Sequence, residues 1–213
     1  MTNLEDALGA VEAGADAVGF VFYEKSPRCV SVETAREICA TLPQSIEKVG
    51  VFVNQDENAI CPVADRVGLT DVQMHGDDED PRVADLVVER RPRTGVFAAI
   101  SMYRANPLGF AMIWHPDSVR AFLLDSGTPG KYGGTGEPFD WLAGVPMVDG
   151  IKKIGNVIAA GGLTSQNVGK AIGILHPFGV DVSSGVEALP GKKDPEKVRA
   201  FVRAVREMDG KVV

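Results

Sequence analysis

The chain has 213 residues, 45% of them hydrophobic and 24% charged, ordinary values for a soluble globular protein with a substantial core. Its formal charge of −7, with basic residues scattered, excludes the concentrated Lys and Arg on which a nucleic-acid or anionic-membrane surface depends. Cys29, Cys39 and Cys61 show no paired CxxC spacing, which points to a reducing cytoplasm and away from a disulfide framework or structural zinc. No apolar run approaches bilayer-spanning length, and the first residues are polar and acidic, so neither a membrane span nor a secretory leader is expected.

Short apolar runs rich in β-branched residues alternate with stretches of helical period. A first helix is expected on Leu4, Ala7, Leu8 and Val11, opened by the Thr-x-x-Glu capping box of "TNLE". Strands are predicted at Ala15–Phe22, Lys48–Val53, Thr70–His75, Val96–Ser101, Ala121–Asp125, Asn156–Ala160 and Phe178–Val182. Most carry apolar residues at consecutive positions, the pattern of strands buried on both faces of a parallel sheet. Arg90, Arg91 and Arg93, the densest basic cluster, read as a solvated helix end, and helix boundaries are least legible between about 82 and 118. The last helix opens at "DPEK", with Asp194 at the cap and Pro195 at the first helical position, and buries Val198, Phe201, Val202 and Val205. No linker or composition shift interrupts residues 1–213, so a single domain is expected.

Such an alternation fits a doubly wound open sheet or a (β/α)8 TIM barrel. The open sheet wants a glycine-rich turn after its first strand, and "YEKSPRC" is not one. Glycine and polar residues instead follow most of the strands, as a barrel requires when its site is built from many loops. The barrel is favoured, with one of its eight strands absent from the chain.

Several strand ends carry chemistry. In "AFLLDSGTPGKYGGTGEPFDW" an apolar run ends on Asp125 and is followed by a glycine-rich loop. A carboxylate there points into the barrel mouth, where partial desolvation suits it to general acid work; a cap on the following turn is the plainer alternative. Asp181 ends another strand. "AAGGLTSQNV" ends a strand in Gly161-Gly162 and opens a helix at Thr164, while "DVSSGVE" follows the last strand. Together they offer backbone N–H groups for a phosphate, or simply tight turns. Arg28 can bind a planar carboxylate or be an ordinary surface residue, and His75 in "VQMHG" suits an orienting or packing role. His115 and His176 have no nameable partner, and Phe139 and Trp141 read as packing that anchors the loop. No metal site is read.

Taken in order, "TNLEDA", "GADAVGFVFYEKSPR", "VGVFVN", "VQMHG", "LLD…YGGTGEPFDW", "AGGLTSQNV" and "GVDVSSGVEALPGKKD" resemble the phosphoribosylanthranilate isomerases of tryptophan biosynthesis. The matches run over nearly the whole chain and are weakest between about 81 and 120. The resemblance implies a (β/α)8 barrel and a cofactor-free Amadori rearrangement of a phosphorylated small molecule, an aminoaldose becoming an aminoketose. It makes Asp125 the general acid, with Gly133–Gly136, and Gly133 and Gly134 in particular, bending over the substrate. Arg28 and Asp181 would hold the anthranilate end, with His75 nearby. Gly161, Gly162, Ser183, Ser184 and Gly185 would hold the phosphate.

The family's first strand carries a Lys-x-Cys-Gly motif whose cysteine is the general base, and this sequence starts at Met1-Thr2-Asn3, just after it. Cys29 lies on a different loop, and Cys39 and Cys61 fall in helical segments. A start taken at an internal methionine accounts for this better than a true truncation, because everything downstream keeps the pattern. The expectation is a polypeptide of weak activity, prone to self-association through open edges at Ala15–Phe22 and Phe178–Val182. A non-catalytic phosphosugar-binding barrel is the alternative of another class. Indole-glycerol-phosphate synthase is a third, but its lysine base has no convincing counterpart here.

Overall fold

A computed structural model describes residues 1–76, 80–127 and 138–209. Helix and strand alternate from the start: α1 (Leu4–Glu12), β1 (Ala17–Val21), α2 (Val32–Thr41), β2 (Glu47–Val53), α3 (Glu57–Val67), β3 (Asp71–His75), α4 (Arg82–Arg90) and β4 (Gly95–Ser101). They continue as α5 (Pro107–Met112), β5 (Ala121–Asp125), α6 (Trp141–Lys152), β6 (Asn156–Ala159), α7 (Val168–Leu175) and β7 (Gly179–Val180). A 3₁₀ turn at Ser184–Val186, a hairpin of β8 (Glu187–Leu189) and β9 (Lys192–Lys193), and α8 (Pro195–Arg206) complete the described chain.

Each strand from β1 to β7 pairs in parallel with the next, in strictly sequential order. A doubly wound sheet reverses its strand order part-way, so this topology is that of a (β/α)8 barrel with seven of its strands in place. Among the described residues β1 and β7 are the two edges.

The alternation of side chains along each strand decides what lies inside the curve. Val96, Ala98 and Ile100 of β4 join the main core with the helices, whereas Phe97 and Ala99 belong to two small separate clusters with Ala121, Leu123 and Ala160. Those small clusters are the barrel's inner layers. By the two-residue period, Ser101 follows Phe97 and Ala99 inward, and Asp125 follows Ala121 and Leu123. On β3, Val72 and Met74 face the helices, which turns Gln73 and His75 inward. Val180 and Val182 pack outward, which leaves Asp181 between them on the inner side. The register pairs Val53 with His75 and Ser101 with Asp125, so these groups end at one rim.

Several local expectations are corrected. Asn3, not Thr2, caps α1, accepting from the Asp6 N–H at 2.8 Å, while the Thr2 hydroxyl donates to the Gly191 carbonyl at 2.5 Å. Leu4 is 39% exposed, and the buried stripe of α1 is Asp6, Ala7 and Ala10. The helix after β6 begins at Val168 rather than Thr164, because the Asn167 side-chain oxygen Oδ1 accepts from the Thr164 N–H at 2.8 Å and closes a turn there. The arginine cluster is not simply solvated: Arg91, 15% exposed, donates to Thr94 and the Leu69 carbonyl and pairs with Asp65, and Arg90 pairs with Glu57. The β8–β9 hairpin was not expected, although Pro190-Gly191 between its strands, with Gly191 at φ +83°, is a turn signal. At the C-terminal end Asp194 caps α8 as read, accepting from the Glu196 and Lys197 N–H groups, and Val198 and Phe201 are buried.

Candidate active site

Asp125 ends β5 with its side chain only 10% exposed. Oδ2 lies 3.9 Å from His75 Nε2, across the barrel interior from the end of β3. Gly161 closes the other side. A Cβ there would sit 2.1 Å from Ser126 Oγ and 2.6 Å from Asp125 Oδ1, and its φ of +78° already disfavours any other residue. The corner after β6 therefore reaches the acid only because it is glycine. Gly162 follows at φ +65°, and the Asn167 side-chain amide donates to its carbonyl at 3.0 Å.

The loop after β7 packs against the loop after β6 just as closely. A Cβ on Gly185 would meet the Leu163 carbonyl oxygen at 1.9 Å. Ser183, Ser184 and Gly185 thus stand beside Gly161 and Gly162, the corner pair that the sequence named separately. Lys193, on the hairpin, donates through Nζ to the Ser183 carbonyl at 3.0 Å and through its backbone N–H to Asp6 Oδ2 at 2.7 Å. The hairpin in this way fixes the β7 loop and α1 together.

Asp181 is accessible through the open mouth yet enclosed by protein on its other sides. That enclosure pushes its carboxyl above the ordinary range; Lys193 opposes the shift and the charge of Asp125 adds to it. Two carboxyl groups that repel one another consequently share one mouth. Lys193 is itself pushed down by burial, against the pull of Glu187 and Asp181.

Arg28, on the loop after β1, is held by a carboxylate of the chain. Its Nε donates to Glu187 Oε1 at 2.8 Å and its Nη2 to Oε2 at 2.7 Å, with side-chain exposures of 18% and 5%. Burial works against ionisation of Glu187, but Arg28, Lys193 and the Gly191 N–H outweigh it and hold the carboxyl below its ordinary range. Two of the five guanidinium N–H groups are occupied in this way.

The structure brings Asp125, His75, Asp181, Gly161, Gly162, Ser183, Ser184 and Gly185 to one rim. Gly133 and Gly134 lie outside the described residues. Sequence reasoning missed Glu187, whose partner Arg28 is distant in sequence, and also Lys193 and Gln73. The last had a signal: it stands two residues before His75 on a strand, hence on the same face. Cys39 and Cys61 sit in α2 and α3, and burial raises both thiols, Cys39 to about 11. Among the described residues no group of three or more His, Cys, Asp and Glu could hold a metal ion, and no helix is long and apolar enough to cross a membrane.

The sequence profile described as N-(5′-phosphoribosyl)anthranilate isomerase matches residues 1–204. The chain belongs to the N-(5′-phosphoribosyl)anthranilate isomerase family. Its members are isomerases of tryptophan biosynthesis. The isomerase of Rubrobacter xylanophilus is 45% identical over 207 residues, covering 97% of this chain and 96% of the relative. The crystal structure of the Thermotoga maritima isomerase superposes with a TM-score of 0.84 at 42% identity, over 97% of this chain and 96% of that one. A further isomerase structure, in complex with reduced 1-(o-carboxyphenylamino)-1-deoxyribulose 5-phosphate, gives a TM-score of 0.81 at 39% identity, over 97% and 95% of the two chains.

Proposed function

We propose that this chain isomerises N-(5′-phosphoribosyl)anthranilate to 1-(o-carboxyphenylamino)-1-deoxyribulose 5-phosphate, with Asp125 as the general acid. Asp125 protonates the ribose ring oxygen, the C1–O bond breaks, and the nitrogen lone pair forms the Schiff base. A base takes the C2 proton to give an enolamine, whose hydroxyl proton is lost as C1 gains one, and the product is the ketone. The observation that carries this reading is the contact between the acid and the Gly161 corner. It sets the proton donor beside a corner whose backbone amides can bind phosphate.

In this reading Gly161, Gly162, Ser183, Ser184 and Gly185 take the phosphate. Arg28 and Asp181 take the anthranilate end, Arg28 through the N–H groups that Glu187 leaves open. The chemistry asks for no cofactor. Cys39 and Cys61 are unsuited to remove the C2 proton, since burial holds both as thiols. Free cysteines suit the reducing cytoplasm in which we place the chain. The dimeric isomerase of Thermotoga maritima supports self-association, which we place at the β1 and β7 edges.

The test is conversion of N-(5′-phosphoribosyl)anthranilate by the purified chain and by Asp125→Asn, alongside calorimetric binding of the reduced aminoketose phosphate. Binding by both proteins is expected, with turnover lower by about a hundred- to ten-thousand-fold in the variant. Equal turnover by the two would remove Asp125 from its role. Binding without turnover in either would mark a phosphosugar-binding barrel instead.

A further inference from the structure

Gln73 and His75 stand two residues apart on β3 and both face the barrel interior. The Gln73 side-chain nitrogen lies 3.3 Å from His75 Nδ1, and His75 Nε2 lies 3.9 Å from Asp125 Oδ2. We propose that Gln73 is a positioning residue that holds His75 as the neutral imidazole with its proton on Nε2, the nitrogen facing Asp125. The proposal rests on the reading of Asp125 as the acid and adds a second layer to it.

The chemistry follows from donor and acceptor counting. An amide nitrogen only donates, so the Nδ1 it addresses must carry a lone pair. A neutral imidazole then bears its hydrogen on Nε2. Protonating Nδ1 would set two donors against each other until the amide turned its oxygen to the ring, so the amide orientation seen here disfavours the imidazolium. A neutral ring matters because of its neighbour. An imidazolium 3.9 Å from Asp125 would favour the carboxylate and strip the acid of the proton it has to give. With the ring neutral, no positive charge from β3 draws that proton off. The Nε2–H dipole then faces the carboxylate left behind.

Among the described residues, three charged groups bear on this pair from other elements. Asp125 comes from β5, and Asp181, after β7, is coupled to Asp125 by charge. Arg104, after β4, donates to the carbonyl of Gly76 at 3.2 Å. The two carboxylates favour a charged imidazole and the guanidinium opposes it. Gln73 is the uncharged group whose hydrogen bond decides the protonated nitrogen.

The test is the ¹⁵N spectrum of the imidazole in the unmodified chain, which reads the tautomer without reference to activity. A pyridine-like Nδ1 and a pyrrole-like Nε2 are expected, and the reverse pattern would overturn the proposal. Gln73→Glu keeps the shape but can only accept from Nδ1, and it adds a negative charge. It is expected to raise the titration midpoint of His75 by about 1 to 3 units. Gln73→Met, which neither donates nor accepts there, is expected to populate both tautomers. A midpoint unmoved in Gln73→Glu, or a tautomer unmoved in Gln73→Met, would likewise overturn the proposal. Loss of the acid role of Asp125 in the turnover assay would leave these spectra as they are, so the two failures are distinct.

Discussion

The two rims of the sheet use the same residue types for opposite ends. At the N-terminal rim Arg120 reaches Asp71 at 2.8 Å and also bonds Glu47, while the Thr70 hydroxyl donates to Asp71 at 2.5 Å. Lys48 caps the carbonyls of Pro43 and Ile46 at 3.2 Å each. Burial works against the Arg120 charge, yet Glu47 and Asp71 hold its pKa above the ordinary value. At this rim charges are matched, and even a glycine serves the match: a Cβ on Gly95 would meet Asp71 Oδ1 at 2.2 Å. At the C-terminal rim burial, with the charge of Asp125 adding to it, raises the carboxyl of Asp181, and Arg28 is already engaged by Glu187. The lesson is that matched charge locks the strands at one end, while neighbouring carboxyl groups and side-chain-free corners at the other end keep room for a ligand.

Substitutions at the two rims should separate in kind. The largest effect is expected from Gly161→Ala, whose methyl would drive into Ser126 and Asp125 at a φ of +78°. Turnover should fall by about a hundredfold, because displacing a reacting group by about an ångström costs that much. Unimpaired turnover would show that the corner does not position the acid. Next comes Asp71→Ala, which leaves Arg120 and the Thr70 hydroxyl short of a partner. Arg120 is 41% exposed and keeps Glu47, so a loss of about 2 kcal/mol is expected in denaturant unfolding, below the full cost of breaking a buried pair. The ligand affinity of the folded protein should not change; a weaker affinity would mean that the rims are coupled.

The smallest effect is a gain. Asp181 has a folded pKa raised above the ordinary 3.8, so its ionised form destabilises the fold at high pH. Asp181→Asn is therefore expected to raise Tm at pH 8. The advantage should shrink as pH falls through the raised value and vanish below 3.8, where both forms are neutral. A variant less stable at pH 8, or an advantage that grows in acid, would reverse the sign assigned here.

How far the sequence foretold these rims depended on the range of the forces involved. Strands buried on both faces were legible, and β5 fell on Ala121–Asp125 as read, because all five of its residues are buried. Asp125, His75 and Asp181 could be picked out because strand ends and the two-residue period are local properties. The cap of α1 was misread between two adjacent capping residues, and a tertiary bond from Thr2 to Gly191, 189 positions away, decided it. The start of α7 was misread because Asn167 folds back onto Thr164. Arg28 was legible as a carboxylate binder, but its partner Glu187 lies 159 positions along the chain, and no local pattern links them. Lys193 was illegible for another reason: it lies on a hairpin that only the Pro190-Gly191 turn announced.

A crystal structure of the chain with reduced 1-(o-carboxyphenylamino)-1-deoxyribulose 5-phosphate tests the site most directly. The phosphate is expected on the amides of the Gly161–Gly162 and Ser183–Gly185 corners, with the C4 hydroxyl oxygen, the ring oxygen of the substrate, within about 3 Å of the Asp125 carboxyl. A phosphate bound at another rim, or a sugar chain pointing away from Asp125, would contradict the assignment.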